Sequence, residues 1–422
     1  MPADIPVKTT SRLLATPGPC DYDAGMSSSE TTRVTGRHYA TGGGVQVDIS
    51  GGRIDAVLAL SDRSAADPSL PWIAPGFIDI QSNGYGGQEF SSPELTVDDV
   101  VQIVSQQAAF GVTQFCPTVT TASFETIGHG LATIDQAARQ SKSIDYTIAG
   151  IHLEGPYIAS EDGPRGAHPL EHCRPPNWDE FQRFQQAAGG RIRIVTLSPE
   201  YPKAIEFIAR AAASGVVVAI GHTAADSAQI RAAVDAGATL STHLGNGAHR
   251  MLRRHPNYLW DQLSDDRLLA SLIVDGHHLP PEVVQTIVRA KTSSRVILIS
   301  DLSGLAGKPP GRYATQLCDL EILPDGRLVI AGQDQLLAGA SQPIGVGVAN
   351  VMRFAGVDLP TAVHMASHHP ARLLDRREIS LAAGDSADMV LFNLRPAAGG
   401  RATHLDVVAT ITGGRLAKFG CP

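Results

Sequence analysis

The sequence predicts a (β/α)8 TIM-like barrel joined to a small β-sandwich domain built from both chain ends. Two patterns predict it. Eight short apolar runs recur through the middle of the chain with amphipathic stretches between them, and strand-rich, turn-rich pieces stand at either end. Runs that are continuously apolar, not alternating, suit strands buried on both faces, as parallel barrel strands are. A doubly wound sheet is the alternative architecture, but no glycine-rich phosphate-binding turn follows the first run.

Residues 1 to about 32 are rich in Thr, Ser, Pro and Gly without periodicity and read as a loose tail. Between 33 and 71, strand-like runs such as Val45 to Ile49 and Ile54 to Leu60 alternate with Gly and Asp turns. The segment 376–422 repeats that character in Met389 to Phe392, Asp406 to Thr412 and Arg415 to Phe419, so the two ends are expected to complete one small β domain. The barrel occupies 72–375. Its eight strands are read at Trp72 to Ile80, Val112 to Cys116, Thr147 to Leu153, Arg193 to Leu197, Val216 to Ile220, Thr239 to Thr242, Ala270 to Val274 and Val296 to Ser300.

Helical periodicity fills the gaps. Thr96-Val97-Asp98-Asp99 reads as a cap before the run Val100 to Phe110, and Thr223-Ala224-Ala225-Asp226 as a cap before a helix ending at Gly237. Tyr201 to Gly215, Pro280 to Lys291 and Pro360 to Ser367 also fit helices. With hydrophobic residues at 43% but aromatics at only 5%, the core must rest on Val, Ile, Leu and Ala, as barrel cores do.

The formal charge of −8 argues against a nucleic-acid partner and gives no attraction to an anionic membrane. No apolar run is long enough to span a bilayer, and the N-terminus lacks a secretory pattern. The five cysteines (Cys20, Cys116, Cys173, Cys318 and Cys421) are odd in number and scattered, without a CxxC, and read as reduced thiols of a cytoplasmic protein.

Barrel active sites lie at the C-terminal ends of the strands, so the residues following each strand matter most. Strand one leads to Gln81-Ser82-Asn83-Gly84, and strand three ends in His152-Leu153-Glu154-Gly155-Pro156. Strand five ends in Gly221-His222-Thr223, six in Thr242-His243-Leu244, seven in Asp275-Gly276-His277-His278 and eight in Ser300-Asp301-Leu302. Six of the eight ends thus carry groups for metal ligation, proton transfer or hydrogen bonding, which chance placement explains poorly. Glu154, His222 and His243 form a carboxylate and imidazole set suited to a divalent ion with a position left open for water. Such an ion lowers the pKa of its water to about 7, and Asp301 is placed to take the water's proton and return it to a leaving group. His277 and His278 are candidates for gripping substrate oxygens. His364, His368 and His369 read as structural, and His249 and His255 as loop residues.

In sequence order these motifs resemble the N-acetylglucosamine-6-phosphate deacetylase family of the amidohydrolase superfamily. Pro75-Gly76-Phe77-Ile78-Asp79 resembles the opening of a superfamily barrel, but Gln81 and Asn83 stand where most members place a His-x-His pair, as in the one-metal deacetylases. His152 to Pro156 resembles the family's HLEGP, and Asp275-Gly276-x-His278 its DGxH. Leu337-Ala338-Gly339 resembles its LAG substrate loop, and Gly384 to Asp388 its closing GxxAD. The resemblance covers about residues 45 to 415.

The resemblance implies metal-dependent hydrolysis of the N-acetyl group of N-acetylglucosamine 6-phosphate to glucosamine 6-phosphate and acetate. One divalent ion is implied, Zn2+ or else Fe2+, Mn2+ or Co2+, held by Glu154, His222 and His243. Asp301 is then the proton shuttle, and His168 steadies the carbonyl or a sugar hydroxyl. Gln81, Asn83, Ala167, Asn246, Gly247, Asp275, His278 and the Leu337-Ala338-Gly339 loop are implied to bind substrate. Arg254, eleven residues after His243, is implied to grip the phosphate of the neighbouring subunit's substrate in a homodimer. The loop Leu244-Gly245-Asn246-Gly247-Ala248 departs from the family pattern, as does Asp301-Leu302-Ser303, and these departures lie around the sugar rather than the metal. Another N-acyl amino sugar is therefore the alternative substrate, and a non-catalytic barrel the alternative of a different class.

Overall fold

A computed structural model gives the fold and describes residues 31–61, 67, 69–315, 319–332, 337–396 and 403–418. The expected N-terminal tail lies outside these residues apart from its last two positions, and so do Cys20, Cys318 and Cys421. Among the described residues no helix is long and apolar enough to cross a membrane.

Eight parallel strands follow one another around the barrel: Phe77–Ser82, Val112–Thr120, Ile151–Glu154, Ile192–Leu197, Val217–Ile220, Ala238–Ser241, Leu269–Ile273 and Val296–Ile299. Neighbours in sequence are neighbours in the sheet, the order that right-handed crossovers through outer helices produce. Ring closure is made at the functional rim, where the Asp301 N–H donates to the Gln81 carbonyl at 2.9 Å and Asn83 N–H to the Leu302 carbonyl at 2.8 Å. Ile78, Ile80, Ile194, Leu240, Ile297 and Ile299 fill the interior, while Phe77, Val195, Val296 and Leu298 pack outward under the helices. Alternate residues are buried on both faces, and this is why the strands read as unbroken apolar runs.

The two chain ends do meet. Seven strands (Thr32–His38, Gly44–Ser50, Arg53–Ala59, Trp72–Pro75, Met389–Pro396, Thr403–Thr412 and Arg415–Lys418) are hydrogen-bonded in one sheet where a sandwich was expected.

Three local readings need correction. The run Trp72 to Ile80 is two strands: Trp72–Pro75 pairs with Met389 to Phe392 of the end sheet, and the barrel begins at Phe77. Gly76 makes the break, because Thr113 lies so close that any Cβ would collide with it at 2.2 Å. The run Thr147 to Leu153 contains the end of a helix, Lys142–Thr147, and only Ile151–Glu154 is strand. Asp226, not Thr223, caps the helix Ser227–Asp235, its carboxylate accepting from Ala228 and Gln229 in a capping box. The other predicted box holds, with Thr96 and Asp99 closing the start of Val97–Gln107.

A three-stranded antiparallel sheet, Gly311–Ala314, Asp319–Ile322 and Leu328–Ile330, is inserted after the eighth barrel strand. Leu320, Ile322 and Leu328 pack on Leu305 and fix it above the barrel mouth.

Candidate active site

Glu154 closes the third barrel strand, and His222, His243 and Asp301 each stand just beyond the fifth, sixth and eighth. The last three share an unusual backbone: φ is 50° at His222, 30° at His243 and 52° at Asp301. Non-glycine residues avoid this left-handed region at a cost of about 1–3 kcal/mol each, so surrounding bonds must hold them there. They do. The His222 carbonyl accepts from Ala159 N–H at 2.9 Å, His243 N–H donates to Ser271 Oγ at 2.8 Å, and Asp301 is bonded through its N–H to Gln81 and through its carbonyl to Ala340. The turn aims each side chain inward across the barrel mouth.

There the side chains converge. Nε2 of His222 and Nε2 of His243 are 3.0 Å apart, and each lies close to Glu154 Oε1, at 3.3 and 3.0 Å respectively. His222 Nδ1 donates to the Pro164 carbonyl at 2.8 Å, so its Nε2 presents a lone pair. Two such nitrogens and a carboxylate oxygen at this spacing suit one shared cation, since ligands at about 2.0–2.1 Å in tetrahedral array stand about 3.3 Å from one another. A looser grouping of Glu154, His168 and His222 also brings one donor atom from each within 4.8 Å of the others. The tighter set is the better ligand triad, because its separations are those of atoms sharing one ion. His168 stands beside it, ring centroid 4.4 Å from that of His222, with Nδ1 buried and lacking a partner among the described residues. Burial, then the neighbouring His222, pushes the His168 pKa down to about 3, so it is a neutral imidazole.

Gln81 is not in the cavity wall but beneath it. Its amide nitrogen donates to Glu154 Oε1 at 3.0 Å and to Asp301 Oδ1 at 3.1 Å, bridging the two carboxylates. Asn83 donates a further bond to Asp301 Oδ1 at 2.8 Å. Burial and the negative charge of Glu154 push the Asp301 pKa up to about 6, against the pull of His243, His278 and Asn83. No described residue hydrogen-bonds Asp301 Oδ2, which leaves one oxygen of a fixed carboxylate for proton transfer.

The cavity around this cluster encloses about 410 Å³, room for a sugar phosphate. Asn83, Ala167, His168, Asn246, Gly247, His278 and the Leu337-Ala338-Gly339 loop all line it. Gly247 has φ of 56°, and a Cβ there would lie 2.8 Å from His222 Nδ1, so only glycine keeps the histidine in place. Two other assignments shift. Asp275 does not line the cavity: its carboxylate accepts from the His277 and His278 amides at 2.8 and 2.9 Å and pairs with His278 Nδ1 at 2.7 Å, so it orients His278. Burial alone would raise Asp275, but the His278 contacts outweigh it and hold the carboxyl at about 2. Arg254 is exposed and lies outside the cavity of its own chain.

Sequence reading missed several wall residues. Glu89, Ser91, Thr120, His249, Arg250 and Arg327 also line the cavity. His249, read as a loop residue, joins Glu161 at 3.0 Å and Tyr258 at 3.0 Å, tying the loop after the third strand to that after the sixth. None of these positions carries a motif: Thr120 ends the second barrel strand, and the others reach the cavity through tertiary packing.

The Amidohydrolase family model matches residues 72–417. The chain is 33% identical over 362 residues to the N-acetylglucosamine-6-phosphate deacetylase of Bos taurus, covering 82% of this chain and 87% of that protein. It is 31% identical over 361 residues to the N-acetylgalactosamine-6-phosphate deacetylase of Escherichia coli O157:H7, covering 86% and 90%. Among solved structures it resembles the N-acetyl-D-glucosamine-6-phosphate deacetylase of Mycobacterium smegmatis, solved as a variant in complex with N-acetyl-D-glucosamine-6-phosphate. That match has a TM-score of 0.77 and 30% identity and covers 92% of this chain and 99% of that one.

Proposed function

This chain belongs to the amidohydrolase family, and from that premise we propose how it hydrolyses the acetamide of N-acetylglucosamine 6-phosphate to glucosamine 6-phosphate and acetate. The observation that carries the reading is the Gln81 bridge, which locks a free-armed Asp301 beside the Glu154, His222 and His243 triad.

A divalent ion, for which we propose zinc, would be held by Glu154, His222 and His243; when bound it supplies Lewis-acid polarisation of the amide and acidifies the attacking water. Asp301 Oδ2 accepts the proton of that water as oxygen bonds to the acetyl carbon. The same oxygen then gives the proton to the sugar nitrogen as the C–N bond breaks, leaving acetate and the free amine. His168, a neutral imidazole lining the cavity, donates to the acetyl oxygen or a sugar hydroxyl. Gln81 and Asn83 both fix Asp301, and Asn83 in addition faces the substrate cavity. Asn246, the Gly247 backbone and His278 receive the phosphate end, with Ala167 and the 337–339 loop against the sugar.

The functional unit is proposed to be a homodimer in which Arg254, exposed on its own chain, enters the partner's cavity. A cytoplasmic location is supported by the free thiols of Cys116 and Cys173. N-Acetylgalactosamine 6-phosphate is a second substrate reading, favoured by the Escherichia coli relative.

Acetate release from both hexosamine phosphates and their unphosphorylated counterparts tests the reading. N-Acetylglucosamine 6-phosphate should give the highest kcat/KM. Preference for the galactosamine epimer would select the second reading, and release from neither phosphate would sink both.

A further inference from the structure

The inserted three-stranded sheet does more than cover the barrel. Its last turn, Asp325-Gly326-Arg327, reaches the mouth of the cavity, where Arg327 lines the wall with His277, His278 and Arg250. The sheet is held there by Leu320, Ile322 and Leu328 against Leu305, by the Ala338 N–H donating to the Leu328 carbonyl at 3.1 Å, and by Ser341 Oγ donating to the Gly326 carbonyl. The tip is therefore anchored to the loop that also carries Leu337, Ala338 and Gly339.

Arg327 itself is held in one orientation. Asp325 accepts the Arg327 amide at 3.1 Å and its Nε at 2.8 Å. Among the described residues the two terminal guanidinium nitrogens take no partner. An exposed pair two residues apart contributes little to stability, but it clamps the inner nitrogen and leaves the outer pair free. That is the geometry with which a guanidinium grips a phosphate by two parallel bonds.

We propose that Arg327 is a further phosphate-binding residue, supplied by the same chain as the metal-ligand cluster and independent of any neighbouring subunit. The inference rests on the phosphorylated-sugar reading above. It assigns the inserted sheet a share in substrate selection: the rim formed by Arg327, His277 and His278 receives the dianion, while the acetamide points down to Glu154 and Asp301.

The test compares kcat/KM for N-acetylglucosamine 6-phosphate with kcat/KM for N-acetylglucosamine in the wild type, Arg327→Ala and Arg327→Lys. Arg312→Ala is the control, since Arg312 lies on the same sheet, pairs with Glu321 and does not line the cavity. Loss of a charge-assisted phosphate contact should lower the phosphorylated-to-unphosphorylated ratio about tenfold in Arg327→Ala. Arg327→Lys should restore part of it and Arg312→Ala should leave it at the wild-type value. A wild-type ratio that survives Arg327→Ala, or an equal loss with both sugars, overturns the proposal while leaving the substrate reading in place. A wild type indifferent to the phosphate overturns both.

Discussion

His222, His243 and Asp301 all take left-handed backbone conformations, and all three are proposed to carry the chemistry. A strand that ends in such a turn throws its next side chain across the barrel mouth, a gain in position that offsets the conformational cost. The identity of these residues was legible, because Glu, His and Asp after buried strands have few structural uses there. Their mutual arrangement was not, since it depends on Gln81, whose two amide hydrogens join Glu154 to Asp301 across the first strand. Gln81 and Asn83 also stand where a second ion would want two imidazoles. Protein prepared without chelator should therefore contain close to one equivalent of divalent metal by elemental analysis, and a reproducible value of two would sink that account. Asp301→Asn should retain this equivalent but lose rate. A neutral amide cannot accept the water's proton, and a group serving both proton transfers should cost toward the upper end of about 10²–10⁴-fold. Near-normal turnover in steady-state assays would place the shuttle elsewhere.

The strands themselves were readable from their apolar runs, although their ends were not. Trp72 to Ile80 reads as one mainly apolar run, yet it serves two sheets, divided at Gly76, where Thr113 crowds the backbone. Beneath the rim, polar groups hidden in the apolar pattern tie the strands together. His152 Nδ1 donates to the Ile80 carbonyl at 3.1 Å, while its Nε2 meets Thr196 Oγ1 at 2.7 Å, and that hydroxyl meets Thr242 Oγ1 at 2.7 Å. The chain runs through the first, third, fourth and sixth strands, directly below three of the site residues. Asp79 does similar work at the closure, its Oδ1 accepting from the Gln81 and Ser300 amides while Oδ2 has no partner among the described residues. Burial pushes its pKa up to about 7 from an ordinary 3.8. The folded state then holds a proton that the unfolded chain has released between those values, so the contribution of Asp79 to stability falls as pH rises through that window. Asp79→Asn should flatten this part of the profile. Urea midpoints measured from pH 5 to pH 8 should show the wild type losing more stability than the variant over that range, and parallel profiles would show that Asp79 stays ionised.

At the scale of the whole molecule, fold class and chain-end pairing followed from pattern alone, because burial on both faces and turn-rich ends leave compositional traces. The cavity's outer wall left none. It is built by loops and by an inserted sheet, and Arg327, Glu89 and His249 enter it through tertiary packing. Arg254 poses the matching question between molecules. It is exposed, on a loop adjoining the cavity residues 245–250, and does not line the cavity of its own chain. If it completes a neighbour's phosphate site, each dimer site draws Asp301 from one subunit and Arg254 from the other. Arg254→Ala should then raise KM for the phosphorylated sugar by about tenfold to a hundredfold, and Asp301→Asn should be nearly inactive for its own reason. Mixing the two variants under conditions that exchange subunits creates heterodimers. In these, the site holding the intact Asp301 faces a partner with an intact Arg254, while the other site lacks both. Statistical exchange puts half of the dimers in this mixed state, so low-substrate activity should rise well above the mean of the two parents. Activity that stays at that mean after exchange, shown complete by a tagged-subunit pull-down, would place Arg254 outside the partner's site and leave the phosphate to residues of a single chain.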